Sequence, residues 1–171
     1  MPNLPRVSTI LSVLYPNSLD FIKDEHLERG TRLHKSMEDW GDAILNERPI
    51  PYVFQECVPL IQCMQDNGME LFECEQQHEH KTYGYTGRPD AIIQWNGKFW
   101  IVDYKFSESI TEQNLMQMEA YSEMMKMGVV LLQVDKNGTV KIKKRKPRPD
   151  LWAAFCSGLN VYKFINRNGS K

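Results

Sequence analysis

The chain predicts an α/β domain in which helices flank a mixed central β-sheet. Three observations lead there. Apolar residues recur at helical spacing early in the chain, as in Leu33, Met37, Trp40 and Ile44. The middle of the chain turns to short strand-like runs hinged on Asn96-Gly97, a strong hairpin signal. Helix and strand patterns then alternate to the end, the order expected of helices layered on a sheet.

The elements follow in order. A short helix over 9–14 ends at Pro16, and a longer one over 24–46 is stopped by Pro49 and Pro51. Pro51 is expected to open a third helix running to about residue 67, ended by Gly68. Strand character takes over with 70–77 and 81–85, read as paired, and with 88–95 and 98–105 on either side of Asn96-Gly97. Phe99-Trp100-Ile101-Val102 is almost wholly apolar, as a central strand covered on both faces must be. A Met-rich helix over 111–127 should end at Gly128, a candidate cap residue. Strands over 129–134 and 139–143 turn around Lys136-Asn137-Gly138, and a helix over 149–166 closes the chain.

The length of 171 residues suits one domain over 1–171, with a helical part over 1–68 and a sheet with flanking helices over 69–171. Hydrophobic residues make up 42%, enough for a sizeable core. No apolar run approaches 18 residues and no signal-peptide pattern opens the chain, so no membrane association and a cytoplasmic location are expected. The four cysteines, Cys57, Cys63, Cys74 and Cys156, form no C-x-x-C pair, so reduced thiols are expected rather than a zinc site. His78-Glu79-His80 lacks a second ligand pair and is read as a loop between strands.

Charge is unevenly spread. From Lys141 onward there are nine Lys/Arg and one acid, against twelve Lys/Arg and twenty-one acids before it. Such asymmetry points to an anionic partner for the basic end. Lys141, Lys143, Lys144, Arg145, Lys146 and Arg148 are its candidate contacts.

The most specific stretch is Gly87-Arg88-Pro89-Asp90, followed by Val102-Asp103-Tyr104-Lys105. Two carboxylates can hold a hard divalent cation through oxygen. Asp90 opens one strand of the predicted hairpin and Asp103 ends the other, so both converge at one end of the sheet. Lys105 shares a strand face with Asp103, because side chains alternate with period 2. The Tyr104 carbonyl lies between them as a further candidate ligand. Phosphodiester cleavage is the chemistry this layout suits. Two weaker signals accompany it. His34 sits beside the apolar stripe of its helix, and Gln117 and Tyr121 form an i,i+4 pair on another.

Taken together, these residues resemble the RecB-type branch of the PD-(D/E)XK nuclease superfamily. His34 matches its helical histidine and Gly87-Arg88-Pro89-Asp90 its G-x-x-D. Asp103-Tyr104-Lys105 matches its D-x-K, and Gln117 with Tyr121 its Q-x-x-x-Y. The segment around Glu73, with Tyr-x-Gly-x-x-Asp after it, is also similar to the mitochondrial genome-maintenance exonucleases and their small phage relatives, which places Glu73 near the site.

The resemblance implies a restriction-endonuclease-like core and a metal-dependent DNA exonuclease acting on single strands or ends. A structure-specific endonuclease or nickase, and a non-cleaving DNA-binding subunit, are the alternatives. His34, Asp90, Asp103 and the Tyr104 carbonyl would hold Mg²⁺ or Mn²⁺. Lys105 would position the attacking water, while Gln117 and Tyr121 would hold the DNA backbone or support the site. A recombination or replication protein is a conceivable partner, and a phage-encoded chain would act in the host cytoplasm. Three cysteines precede Asp90 and one follows it, the reverse of the cluster-binding relatives, so no iron–sulfur cluster is expected.

Overall fold

The computed structural model describes residues 4–16 and 24–167. Helix α1 (Val7–Leu14) is followed by α2 (Asp24–Leu45), whose first turn carries Asp24 and Glu25 at the positive end of its dipole. Leu33, Met37 and Trp40 are buried as the periodicity predicts, but Ile44 is 43% exposed, and Ala43 takes the buried position in the last turn instead. Pro51 does not open a helix. The chain stays outside regular structure to Phe54, whose N–H donates to Ser36 Oγ at 3.2 Å, pinning it against α2. A 3₁₀ turn (Gln55–Cys57) then leads into α3 (Val58–Asp66), with Pro59 in its first turn, where a missing N–H costs nothing.

Seven strands follow: β1 (Glu70–Cys74), β2 (His78–His80), β3 (Tyr85–Gly87), β4 (Ala91–Trp95), β5 (Lys98–Lys105), β6 (Gly128–Val134) and β7 (Val140–Arg145). Helix α4 (Glu112–Met125) joins β5 to β6, and α5 (Pro149–Asn166) closes the fold. The main sheet has the order β1-β4-β5-β6-β7, and only β5 and β6 run parallel. That parallel pair is what α4 makes possible, since a parallel connection needs a crossover. The β4–β5 hairpin turns at Asn96 and Gly97 with φ of 52° and 72°, the doubly positive geometry that selects Asn-Gly.

Three further expectations fail. Residues 70–77 and 81–85 do not pair with each other. Instead β1 pairs with β4 through a bulge between Leu71 and Glu73, while β2 pairs with β3 as a separate ribbon. His78-Glu79-His80 is therefore a strand, not a loop. Gly128 is not the cap of α4: Lys126 takes the left-handed position at φ 54°, and Gly128 starts β6. A side chain at Gly128 would come within 2.6 Å of the Trp100 ring, so close packing, not turn geometry, selects glycine there.

The sheet divides two apolar layers. Leu33, Met37, Trp40, Leu60 and Met64 pack with Ile93, Val102, Tyr104, Val130 and Leu132. Val7, Ile10, Met118, Tyr121, Phe155 and Leu159 pack with Ile101, Val129 and Leu131. Successive strand residues thus alternate between the α2/α3 side and the α1/α4/α5 side. Among the described residues no helix is long and apolar enough to cross a membrane.

Candidate active site

Ala91 pairs with Val102, so the hairpin register sets Asp90 across from Asp103. Asp90 Oδ2 accepts the Tyr104 N–H at 2.7 Å, which fixes the carboxylate to the end of β5. Its Oδ1 lies 3.4 Å from His34 Nδ1. Helix α2 delivers that histidine from the position after the fully buried Leu33, and the edge of its ring meets Phe106 with centroids 5.6 Å apart. Lys105 Nζ stands 2.7 Å from Asp103 Oδ2. The contact is an ion pair out of hydrogen-bond alignment, and Oδ2 is buried without a hydrogen-bond partner. The Tyr104 ring faces the α2/α3 core, so only its main chain is presented toward the carboxylates.

Four ionisable groups thus share one end of the sheet, and each perturbs the others. Burial opposes the charged form of Asp90, but His34, Lys105 and the Tyr104 N–H overcome it and hold the carboxyl low. Burial dominates at Asp103, and with Asp90 opposite it outweighs Lys105 and pushes that carboxyl up to about 6. Burial also disfavours the His34 and Lys105 cations. The two carboxylates win in both cases and raise them, with Asp90 the main partner of His34 and Asp103 of Lys105. Two carboxyls at matching positions are therefore held in unequal states.

One acid that the sequence motifs passed over belongs beside this group. Glu75 adopts φ 51°, its N–H donates to the Asp90 carbonyl at 3.1 Å, and its Oε2 meets Arg88 Nε at 2.8 Å. Burial, then Asp90, pushes its carboxyl up to about 7. Arg88, two residues before Asp90, was the available signal: a cation there calls for an acid. Glu73 lies on the same wall, lining a shallow recess with Glu75, Pro89 and Ala91, and its Oε2 is 2.8 Å from His78 Nε2.

Gln117 and Tyr121 stand one layer back. Gln117 Nε2 donates to Tyr121 Oη at 3.0 Å, and Tyr121 Oη donates to the Arg88 carbonyl at 3.3 Å. The chain clamps α4 to the segment that presents Asp90. A side chain at Gly87 would meet the Tyr121 ring at 2.6 Å, so the glycine of Gly87-Arg88-Pro89-Asp90 gives α4 its close approach. Both residues line a cleft of about 260 Å³ with Arg6, Ser8, Gln77 and Arg88.

Most of the basic run lies in the last strand, β7, with Lys146 and Arg148 beyond its end, and the pleat splits it. Lys141 pairs with Gln133 and Lys143 with Leu131, in line with Lys105 and Asp103 across the parallel pair. Lys144 points to the opposite side and lies over Trp95 and Trp100, at 4.1 and 5.0 Å from the ring centroids. Arg145, Lys146 and Arg148 line a separate cleft with the C-terminal half of α4, and Arg148 pairs with Asp150.

A cleft of about 530 Å³ opens onto the site, lined by His26, Arg29, His34, Lys105, Phe106 and Asn114 among others. A divalent cation suits the donors beside it. Asp90 and Asp103 supply hard oxygen ligands and His34 supplies nitrogen, and Asp103 Oδ2 is buried with no hydrogen bond, with Lys105 Nζ beside it at 2.7 Å. Among the described residues no three His, Cys, Asp or Glu side chains are drawn together at ligand spacing, and Lys105 is the cation that faces Asp103.

No protein-family model and no curated protein matches the sequence. Among solved structures the chain is similar to an alkaline exonuclease, LHK-Exo, from Laribacter hongkongensis, at 11% identity over 94% of this chain and 92% of that one, with a TM-score of 0.52. A structure of LHK-Exo in complex with dAMP matches 98% of this chain and 93% of its own length at 12% identity, again with a TM-score of 0.52. This likeness over nearly the whole chain gives the protein the fold of the alkaline exonuclease LHK-Exo.

Proposed function

We propose that the protein is a metal-dependent deoxyribonuclease, acting as an exonuclease on single-stranded DNA or DNA ends. The observation that carries this reading is the convergence of Asp90, Asp103 and Lys105 at one end of β4 and β5, with His34 against Asp90. The exonuclease form is supported by the name of the Laribacter protein, and its complex with dAMP fits a site that handles deoxynucleoside monophosphates.

Asp90, Asp103, His34 and the Tyr104 carbonyl would hold Mg²⁺ or Mn²⁺; histidine makes Mn²⁺ more acceptable than an all-oxygen set would. Bound there, the metal would supply Lewis acidity toward the scissile phosphate and a nearby water. The protein's own groups do the rest. Lys105, kept protonated by two carboxylates, orients the attacking water and offsets charge building on the phosphate. Asp90 is locked by the Tyr104 N–H and holds its position without reorganising. Gln117 and Tyr121 fix α4 against the Asp90 segment and keep the two carboxylates in register.

A digest of linear and circular single-stranded DNA with Mg²⁺ or Mn²⁺ tests the proposal. Loss of the linear substrate alone, abolished by chelator, is the expected result. Cleavage of the circle would make the protein an endonuclease. Absence of any chelator-sensitive hydrolysis would leave a DNA-binding subunit and refute the proposal.

A further inference from the structure

The way the basic strand divides carries an inference that rests on the DNA reading above and deepens it. Gln133 is 4% exposed, yet both its polar atoms are hydrogen-bonded. Its Nε2 donates to the Ser107 carbonyl at 2.6 Å and the Glu108 carbonyl at 3.0 Å. Its Oε1 accepts from Lys143 Nζ at 2.9 Å. Ser107 and Glu108 follow Lys105 after Phe106 and form one wall of the cleft that opens on the site. Gln133 is also the register partner of Lys105 in the parallel pair. One buried amide therefore ties the cleft wall to a lysine two strands away.

Lys143 differs from its neighbours in what it faces. Arg148 is matched by Asp150, and Lys144 is spent on two indole rings. Arg145 pairs with Val129, four residues from Gln133, which is about 13 Å along the strand. Lys143 has a neutral partner, so its full charge is left to attract an anion, while the Gln133 bond limits where that charge can go. Two strand spacings, about 10 Å, separate β7 from β5. A strand whose scissile phosphate meets Lys105 can bring a neighbouring phosphate over β6 within reach of the Lys143 side chain. Lys141, exposed and in line with Lys105 and Gln133, extends the same track.

We propose that Lys143 is the phosphate-binding cation of the substrate track, that Gln133 is its positioning residue, and that the track leaves the site across β6 toward Lys143 and Lys141. Lys144, Arg145, Lys146 and Arg148 lie off it. The protein then grips the DNA backbone on one side of the scissile bond through a fixed lysine, without reading bases.

Binding of a fluorescent single-stranded oligonucleotide, titrated against NaCl in chelator so that nothing is cut, tests this. Relative to wild type, Lys143→Gln should flatten the slope of log affinity against log salt by about 0.7, one phosphate contact on a single strand. Lys143→Arg should restore it, and Arg145→Gln should leave it unchanged. Gln133→Leu should also flatten the slope, and adding it to Lys143→Gln should flatten it no further, since the two act as a unit. If Gln133→Leu does not fold, the exposed Lys143 variants carry the test alone. A slope unaltered by Lys143→Gln, or altered as much by Arg145→Gln, overturns the track. Additive slopes for Gln133 and Lys143 overturn the positioning role. A wild type whose DNA binding does not weaken with salt refutes the DNA reading itself.

Discussion

The two ends of β5 are made of the same backbone and do opposite things. At its start, Trp100 fills the space left by Gly128, its Nε1 donates to the Trp95 carbonyl at 3.2 Å, and Lys144 caps both indoles. Polar groups there are matched and the packing is tight. At its end, Asp103 and Lys105 face Asp90 and His34, burial works against every charge, and Asp103 Oδ2 has no hydrogen bond. The first end stabilises the sheet by packing, while at the second Asp103 is held against its charge and the other three groups are held charged by one another. Functional sites are where such local costs are retained.

That contrast can be broken most sharply at Asp103. Asp103→Asn should abolish metal-dependent cleavage while leaving the thermal midpoint close to wild type or above it at neutral pH. The sign follows from the raised carboxyl. Because folded Asp103 keeps its proton up to about pH 6, above the unfolded value of about 3.8, ionising it lowers stability as pH rises through that window. A large fall in the melting temperature, measured in chelator, would show that Asp103 stabilises the fold instead. His34→Ala comes next. It should raise the Mn²⁺ concentration needed for half-maximal rate, and an unchanged metal titration would make His34 a structural residue.

The other end of the strand should respond in the opposite sense. Gly128→Ala forces the Trp100 ring aside and should cost about 1–3 kcal/mol, the usual penalty of overpacking. For a chain of this size that is roughly 2–4 °C in midpoint per kcal/mol. Cleavage by the folded fraction should be unchanged, and a specific loss of rate would tie this end to the site. The smallest effect is expected at Glu75. Its folded carboxyl titrates near 7 rather than 4.5, so it makes the protein lose stability as pH rises between those values. Glu75→Gln should flatten that part of the stability–pH curve in denaturant titrations, and an unaltered curve would place the Glu75 carboxyl in water.

What the sequence made legible follows the range of the interactions. The Asn96-Gly97 turn fixes a local hairpin, and its register brings Asp90 and Asp103 to facing positions. The α2 stripe likewise placed His34 beside the core. The misreadings involve partners distant in sequence. Nothing in residues 70–85 says that β1 bonds to β4 across the intervening ribbon, and the bulge between Leu71 and Glu73 obscures its alternation. Glu75 escaped notice because its role comes from burial beside Asp90. The basic run read as one patch because charge along a sequence carries no pleat; only pairing with β6 shows that Lys143 and Lys144 face apart.

If the end of β5 cleaves phosphodiesters as proposed, Lys105 is the residue whose loss reports it most directly. The decisive measurement is the single-turnover rate of Lys105→Ala on linear single-stranded DNA with saturating Mg²⁺, taken beside DNA affinity and melting temperature. Cleavage reduced to background, with the protein folded and DNA still bound, is the expected result. Near-wild-type turnover in a folded Lys105→Ala would contradict it and move the chemistry away from Asp103 and Asp90.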